Sequence, residues 1–238
     1  MVKVNLYICA ALILCLAWLA PVAGADTLPS DAPDDIRLEL SQAHAGNVDS
    51  MYLVATYLAD QAAIEDDAMA SFAFGWALLA ARNGHAQAAE LTGVMYRGGI
   101  GVPQNYVKSR KWLERALARR SMEPNFELAI LYADEENPGM DKIKSARYLT
   151  EAIRTSEPRA CLIAARNKID EGVELRRILG EITCAAEGGI AEAMEMIAEY
   201  QLSKRSPQSK TRAREWLTRA MNSGSETAAG KLAALDNN

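Results

Sequence analysis

Bulky and small apolar residues recur along this chain at one long period. Trp76, Trp112, Tyr148, Ile182 and Trp216 follow one another at 36, 36, 34 and 34 residues. Four places after each stands an alanine: Ala80, Ala116, Ala152, Ala186 and Ala220. Residues i and i+4 lie on one face of an α-helix, so each pair sets a bulky side chain beside a point where another helix comes close. Repetition at this length predicts a stack of helical hairpins in an all-α chain, each hairpin burying its apolar face against the next.

The second unit is the clearest. Ala88, Leu91, Thr92, Met95 and Tyr96 form the inner face of a helix that opens near Gly84-His85 and stops at Gly98, Gly99 and Gly101. Glycine takes left-handed backbone angles at little cost, and Pro103 prevents any continuation. A second helix is expected from about Tyr106 to Arg119, with Ser109, Trp112, Leu113, Ala116 and Leu117 on one stripe. The first unit pairs Asp49–Ala59 with Ala68–Asn83 around an acidic insertion of Glu65, Asp66 and Asp67. The third pairs Asn125–Asp134 with Lys142–Thr155, the fourth Pro158–Asp170 with Val173–Glu187, and the fifth Ala191–Leu202 with Lys210–Asn222. Ser225 to Leu235 reads as a capping helix begun by Ser225 or Thr227.

Residues 1–25 follow another pattern. Lys3 precedes an apolar run from Leu6 to Ala20, Pro21 breaks it, and Ala23-Gly24-Ala25 offers small residues before Asp26. This is the signature of a secretory signal peptide. An uncleaved anchor calls for a longer run, and lipoprotein processing at Cys15 calls for a small residue where Leu14 stands. The expected organisation is therefore signal peptide 1–25, flexible lead-in 26–35 with Pro29, Pro33 and four aspartates, and repeat domain 36–238. The expected location is periplasmic or secreted.

Composition is that of an ordinary globular chain, with 50% hydrophobic, 24% charged and 6% aromatic residues. Without the leader, 25 basic side chains stand against 31 acidic ones. That balance argues against nucleic acid as a partner, since its phosphates must be neutralised. It also lacks the basic amphipathic stretch of a membrane-surface helix, so no membrane insertion is expected after cleavage.

Ala86-Gln87-Ala88, Gly93, Tyr96, Gly98 or Gly99, Gly101-Val102 and Lys111-Trp112-Leu113 to Ala116 together resemble the Sel-one-like repeat, a branch of the tetratricopeptide superfamily. The fifth unit resembles it through Ala191-Glu192-Ala193 and Arg212-Ala213-Arg214-Glu215-Trp216 to Ala220, and the third through Leu128-Ala129, Tyr132 and Ala146-Arg147-Tyr148-Leu149. The resemblance covers about residues 43–224. It implies a right-handed α-solenoid of about five hairpins plus a C-terminal capping helix, whose first helices line a concave groove. It also implies an interaction scaffold, often in bacterial envelope or signalling assemblies, and no enzyme. Narrower roles it brings forward are an immunity protein against a secreted envelope-targeting toxin, an adaptor in cell-envelope or polysaccharide assembly, and a β-lactam-binding enzyme. The last belongs to members with a cysteine pair in nearly every repeat, unlike this chain. Three of the five turns lack the Gly-x-Gly-Val pattern, so irregular curvature is expected.

The chemistry on offer is sparse. His44 and His85 have no cysteine or histidine at ligand spacing, so no metal site is expected, and no cofactor motif is present. Glu135-Glu136 and Asp66-Asp67 fall in expected loops and read as solvated surface. Of four cysteines, Cys9 and Cys15 belong to the leader, leaving Cys161 and Cys184. These stand almost equidistant from an expected turn centred near Glu171-Gly172, which places them opposite one another across an antiparallel hairpin. They are predicted to form a disulfide worth about 3 kcal/mol. The alternative is two buried free thiols.

The aromatic column reads as core, and Trp112 or Trp216 replaced by alanine is expected to cost about 3–5 kcal/mol. Structural roles are expected for Trp76, Trp112, Tyr148, Trp216, Gly93 and Gly101. For a protein or peptide partner, Gly93, Ala129, Ala165 and Ala198 mark where helices cross. Positions three before and one after them then face the groove: Glu90, Phe126, Leu162 and Glu195, followed by Val94, Ile130, Arg166 and Glu199. Tyr52 and Thr56 are the counterparts in the first unit. The expected strip has Tyr52 and Phe126 exposed, Arg159 and Arg166 central, and Glu192, Glu195 and Glu199 beyond.

Overall fold

The computed structural model describes residues 28–62, 67–119 and 124–236. The expected leader, and Glu65 and Asp66 of the acidic insertion, lie outside the described residues. Among the described residues all regular structure is helical, with twelve α-helices and one 3-10 turn. The fold class is an α-solenoid of paired helices. Two compact units divide the chain, Met1–Ser121 and Met122–Asn238. No helix among the described residues is long and apolar enough to cross a membrane.

The first unit holds α1 (Asp34–His44), α2 (Val48–Ala62), α3 (Asp67–Arg82), α4 (Ala86–Gly98) and α5 (Tyr106–Ala118). Hairpins α2–α3 and α4–α5 pack against each other and bury one core, which includes Val54, Leu58, Trp76, Ala89 and Met95. Leu28 of the lead-in packs on that core, and Arg37 donates to the carbonyls of Ser30 and Ala32. Helix α4 begins at His85, whose Nδ1 accepts the Ala88 N–H. It ends at Gly99, in left-handed backbone at φ +69. Gly101 is also left-handed, and a Cβ there would stand 2.0 Å from the Ala70 carbonyl oxygen. The Gly-x-Gly turn is therefore pressed against α3 and admits no side chain. A Cβ on Gly93 would stand 2.7 Å from Leu113 Cγ, which marks the close crossing of α4 and α5.

The second unit holds α6 (Pro124–Ala133), α7 (Lys142–Arg154), α8 (Pro158–Asp170), α9 (Leu179–Glu187), α10 (Ala191–Ser203), α11 (Pro207–Asn222) and α12 (Glu226–Asp236). Its core includes Cys161, Ile178, Ile182, Ile197 and Leu217. Ser225 starts α12 by accepting the Ala228 N–H. The helix expected over Val173–Glu187 is only nine residues long. A 3-10 turn at Leu175–Arg177 replaces its first part and turns Ile178 into the core, 1% exposed. Cys161 of α8 and Cys184 of α9 form a disulfide, with Cα atoms 6.0 Å apart.

All five periodic alanines are fully buried, and among their bulky partners so are Trp76 and Ile182. Trp112, Tyr148 and Trp216 are only half-buried. Each ring leaves a face toward solvent, and an arginine stacks over it: Arg115 on Trp112, Arg147 on Tyr148 and Arg219 on Trp216, at 5.1, 5.0 and 4.2 Å from the ring centres. The residues one place after the two tryptophans, Leu113 and Leu217, are the ones wholly enclosed. The 3–5 kcal/mol expected of Trp112 and Trp216 therefore belongs to these leucines.

Candidate partner-binding face

In the second unit, the first helix of each hairpin contacts the first helix of the next through charged side chains. Helix α8 starts at Glu157, whose carboxylate accepts the Ala160 N–H, with Pro158 in the first turn. Arg159 follows, and its guanidinium donates to Glu157 at 2.7 Å and to Glu127 of α6 at 2.9 Å while lying 4.3 Å over the Phe126 ring. Both carboxylates are buried, with side chains 8% and 6% exposed. Arg159 is thus the counter-ion of two buried acids rather than a free surface charge.

About two turns along α8, Arg166 Nε donates to Glu192 of α10 at 2.9 Å, and both side chains are about half-exposed. Further on, Glu195 of α10 accepts from Ser225, from Thr227 at 2.6 Å and from Lys231 of α12 at 2.6 Å. Burial alone would raise the Glu195 carboxyl, but these donors outweigh it and hold its pKa down at about 2. Lys231 also reaches Glu199 at 2.7 Å. Arg159, Arg166, Glu192, Glu195 and Glu199 take part in a ladder of charged contacts that joins α6, α8, α10 and α12. Their partners Glu127, Glu157 and Lys231 were not singled out in the sequence.

Two expectations are corrected. Phe126 is 7% exposed and Glu90 8%, so neither offers a surface to a partner. Phe126 is covered by Arg159, and Glu90 sits on a helix buried over most of its circumference, beside Ala88, Ala89, Thr92 and Gly93. The phase rule holds better one residue after the crossing: Arg166 and Glu199 are exposed, and Val94 and Ile130 partly so. Tyr52 of the first unit is partly exposed but stacks on His85, with ring centres 4.5 Å apart. Thr56, also partly exposed, donates to the Leu53 carbonyl.

Apolar positions complete the face. Leu162, Arg166 and Ile169 follow at i, i+4 and i+7 on α8, as do Glu195, Glu199 and Leu202 on α10. Ile169 and Leu202 are each 36% exposed, at matching places in successive first helices. The signal was present in the sequence, since both stand four residues after a crossing alanine.

Three stretches, residues 48–85, 86–121 and 191–225, match the Sel1 repeat. The chain carries Sel1 repeats. Solved Sel1 structures share its fold. A Sel1 repeat protein from Oxalobacter formigenes aligns with TM-score 0.59 at 22% identity, over 79% of this chain and 78% of that one. A protective antigen present in uropathogenic Escherichia coli strains, displaying an SLR fold, aligns with TM-score 0.57 at 19% identity over 83% of this chain. This chain spans only 43% of that antigen's length. An immunity protein from Pseudomonas aeruginosa aligns with TM-score 0.55 at 19% identity, over 76% of this chain and 68% of that one. No curated protein matches the chain. At these identities the likeness carries the fold alone. Sel1-repeat scaffolds generally mediate protein interactions and are generally not catalytic. Among the described residues no group of three or more His, Cys, Asp or Glu side chains could hold a metal ion.

Proposed function

We propose that this Sel1-repeat chain is an exported scaffold that binds a protein partner through the first-helix face of α8 and α10. The observation that carries the reading is the pair Ile169 and Leu202, each 36% exposed at matching positions, with Arg166 and Glu199 three residues before them on the same helices. Apolar anchors inside a charged rim suit recognition of a folded polypeptide. Export is supported by the leader pattern of residues 1–25 and by the Cys161–Cys184 disulfide, a bond that persists in oxidising compartments. Cleavage before Asp26 is checked by the intact mass of protein recovered from the periplasm of a Gram-negative host.

The test of the face is cross-linking in periplasmic extract with wild type, an Ile169→Glu/Leu202→Glu variant and an Arg110→Glu control. The double variant is expected to lose a prey that wild type and control retain. Identical prey in all three would reject the face. Narrower alternatives are neutralisation of a secreted envelope-targeting toxin, the role named for one structure of the same fold, and an adaptor in envelope or polysaccharide assembly. A prey whose toxicity disappears on adding the chain would establish the first. No hydrolysis of nitrocefin is expected.

A further inference from the structure

The disulfide is asymmetric. Cys161 is enclosed in the core at 2% exposure, whereas Cys184 is partly exposed. Cys184 also lines an open depression of about 530 Å³ together with Ser156, Leu179, Gly180, Thr183 and Glu187. Gly180 precedes Cys184 by one helical turn on the same face of α9, and a Cβ on Gly180 would meet nothing within 4 Å. A small molecule can therefore come up to Cys184 and not to Cys161.

We propose that Cys184 is a site of thiol–disulfide exchange, open to small thiols and to the active-site dithiol of an oxidoreductase, and that exchange there loosens the start of α9. The thiolate attacks Cys184 Sγ, a new S–S bond forms to it, and the Cys161–Cys184 bond breaks with its electron pair leaving on Cys161 Sγ. Cys161 Sγ then takes a proton from solvent, since its apolar surroundings disfavour a thiolate. A second thiol attacks the mixed disulfide, leaves reduced Cys184 and departs as the oxidised reagent. Two electrons pass from two thiols to the protein disulfide.

Loosening is expected at the start of α9, where little else holds the chain, while Ile182, Ala185 and Ala186 keep the rest of the helix in the core. Helix α9 is nine residues long, its N-cap residue Ile178 provides no side-chain cap, and a 3-10 turn precedes it. A charged tie to α8 is the pair of Lys168 with Glu181, which is partly open to water. The proposal rests on the disulfide and the depression and is independent of the partner face.

The experiment exposes the oxidised native chain to 2-mercaptoethanol, quenches with acid and maps the adduct by peptide mass spectrometry. The mixed disulfide is expected on Cys184, with Cys161 as the free thiol, in at least about tenfold excess over the reverse. Gly180→Leu is expected to fill the depression and slow the exchange several-fold, with unchanged unfolding in urea. Hydrogen exchange of the reduced chain is expected to accelerate in residues 173–187, with α10 to α12 retaining their protection. Adducts shared between the two cysteines, an unchanged rate in Gly180→Leu, or loss of protection throughout the second unit would each overturn the proposal.

Discussion

Lys231 of α12 places its Nζ 2.6 Å from Glu195 and 2.7 Å from Glu199, and so ties the last helix to α10 through two carboxylates one turn apart. The Glu195 pKa of about 2 is depressed from 4.5, so its contribution to stability is present above pH 4.5 and lost as pH falls toward 2. Wild type is expected to exceed Glu195→Gln by about 1–2 kcal/mol at neutral pH, with allowance for solvent screening. Urea unfolding at pH 7, 4.5 and 3 checks that the difference shrinks only below pH 4.5.

Arg159 and Arg166 stand on the same helix but do different work. Arg159→Ala removes the guanidinium that bridges buried Glu127 and Glu157 and is expected to destabilise by about 2 kcal/mol. Arg166→Ala breaks only an exposed pair and is expected to change stability by less than about 1 kcal/mol. Denaturant midpoints separate the two, so a binding defect in Arg166→Ala reports on the face itself.

His85 combines a helix cap with a titratable ring. Burial lowers its pKa from 6.5 and Asp49, with Oδ1 3.5 Å from Nε2, partly restores it. With the folded-state value depressed, the contribution to stability is present above pH 6.5 and lost as pH falls below it. His85→Asn keeps a capping acceptor and is expected to remove this pH dependence. His85→Ala loses the bond to the Ala88 N–H and is expected to cost about 1 kcal/mol at pH 7.5. Thermal unfolding of the three proteins between pH 7.5 and 5.5 distinguishes the cases.

Leu113 is expected to outweigh its larger neighbour. Leu113→Ala opens a cavity beside Gly93 and is expected to cost about 3 kcal/mol, whereas half-exposed Trp112→Ala is expected to cost about 1–2 kcal/mol. Equal losses in chemical denaturation would reverse this ranking.

Much of this was legible in the residue order, for identifiable reasons. The pairs from Trp76–Ala80 to Trp216–Ala220 name a helix face because a side chain four places on sits one turn above. Gly99 and Gly101 announce their turn because few other residues accept positive φ. The Cys161–Cys184 pairing follows from counting outward from one turn along the two arms of a hairpin. Those inferences use periodicity that each helix carries on its own. The short α9 was hidden because Val173–Ile178 has an apolar pattern compatible with a helix. Its 3-10 path depends on Ile178 finding room in the core.

The candidate face was legible in outline and not in role. Helical phase puts Arg166 and Glu199 outward correctly, yet it also selects Glu90 and Phe126, which neighbouring groups enclose. The order of residues alone determined that this is a run of helical hairpins, that the second one turns at Gly99 and Gly101, and which cysteines meet, because all three depend on repeat geometry within about one unit. Only the packed chain decided which charges are already matched. Arg159 with Glu127, Arg166 with Glu192 and Lys231 with Glu195 are 32, 26 and 36 residues apart. Such pairs meet only when the rotation from one hairpin to the next brings them within a few ångströms, and that angle is set by the sum of many side-chain contacts rather than by any single residue.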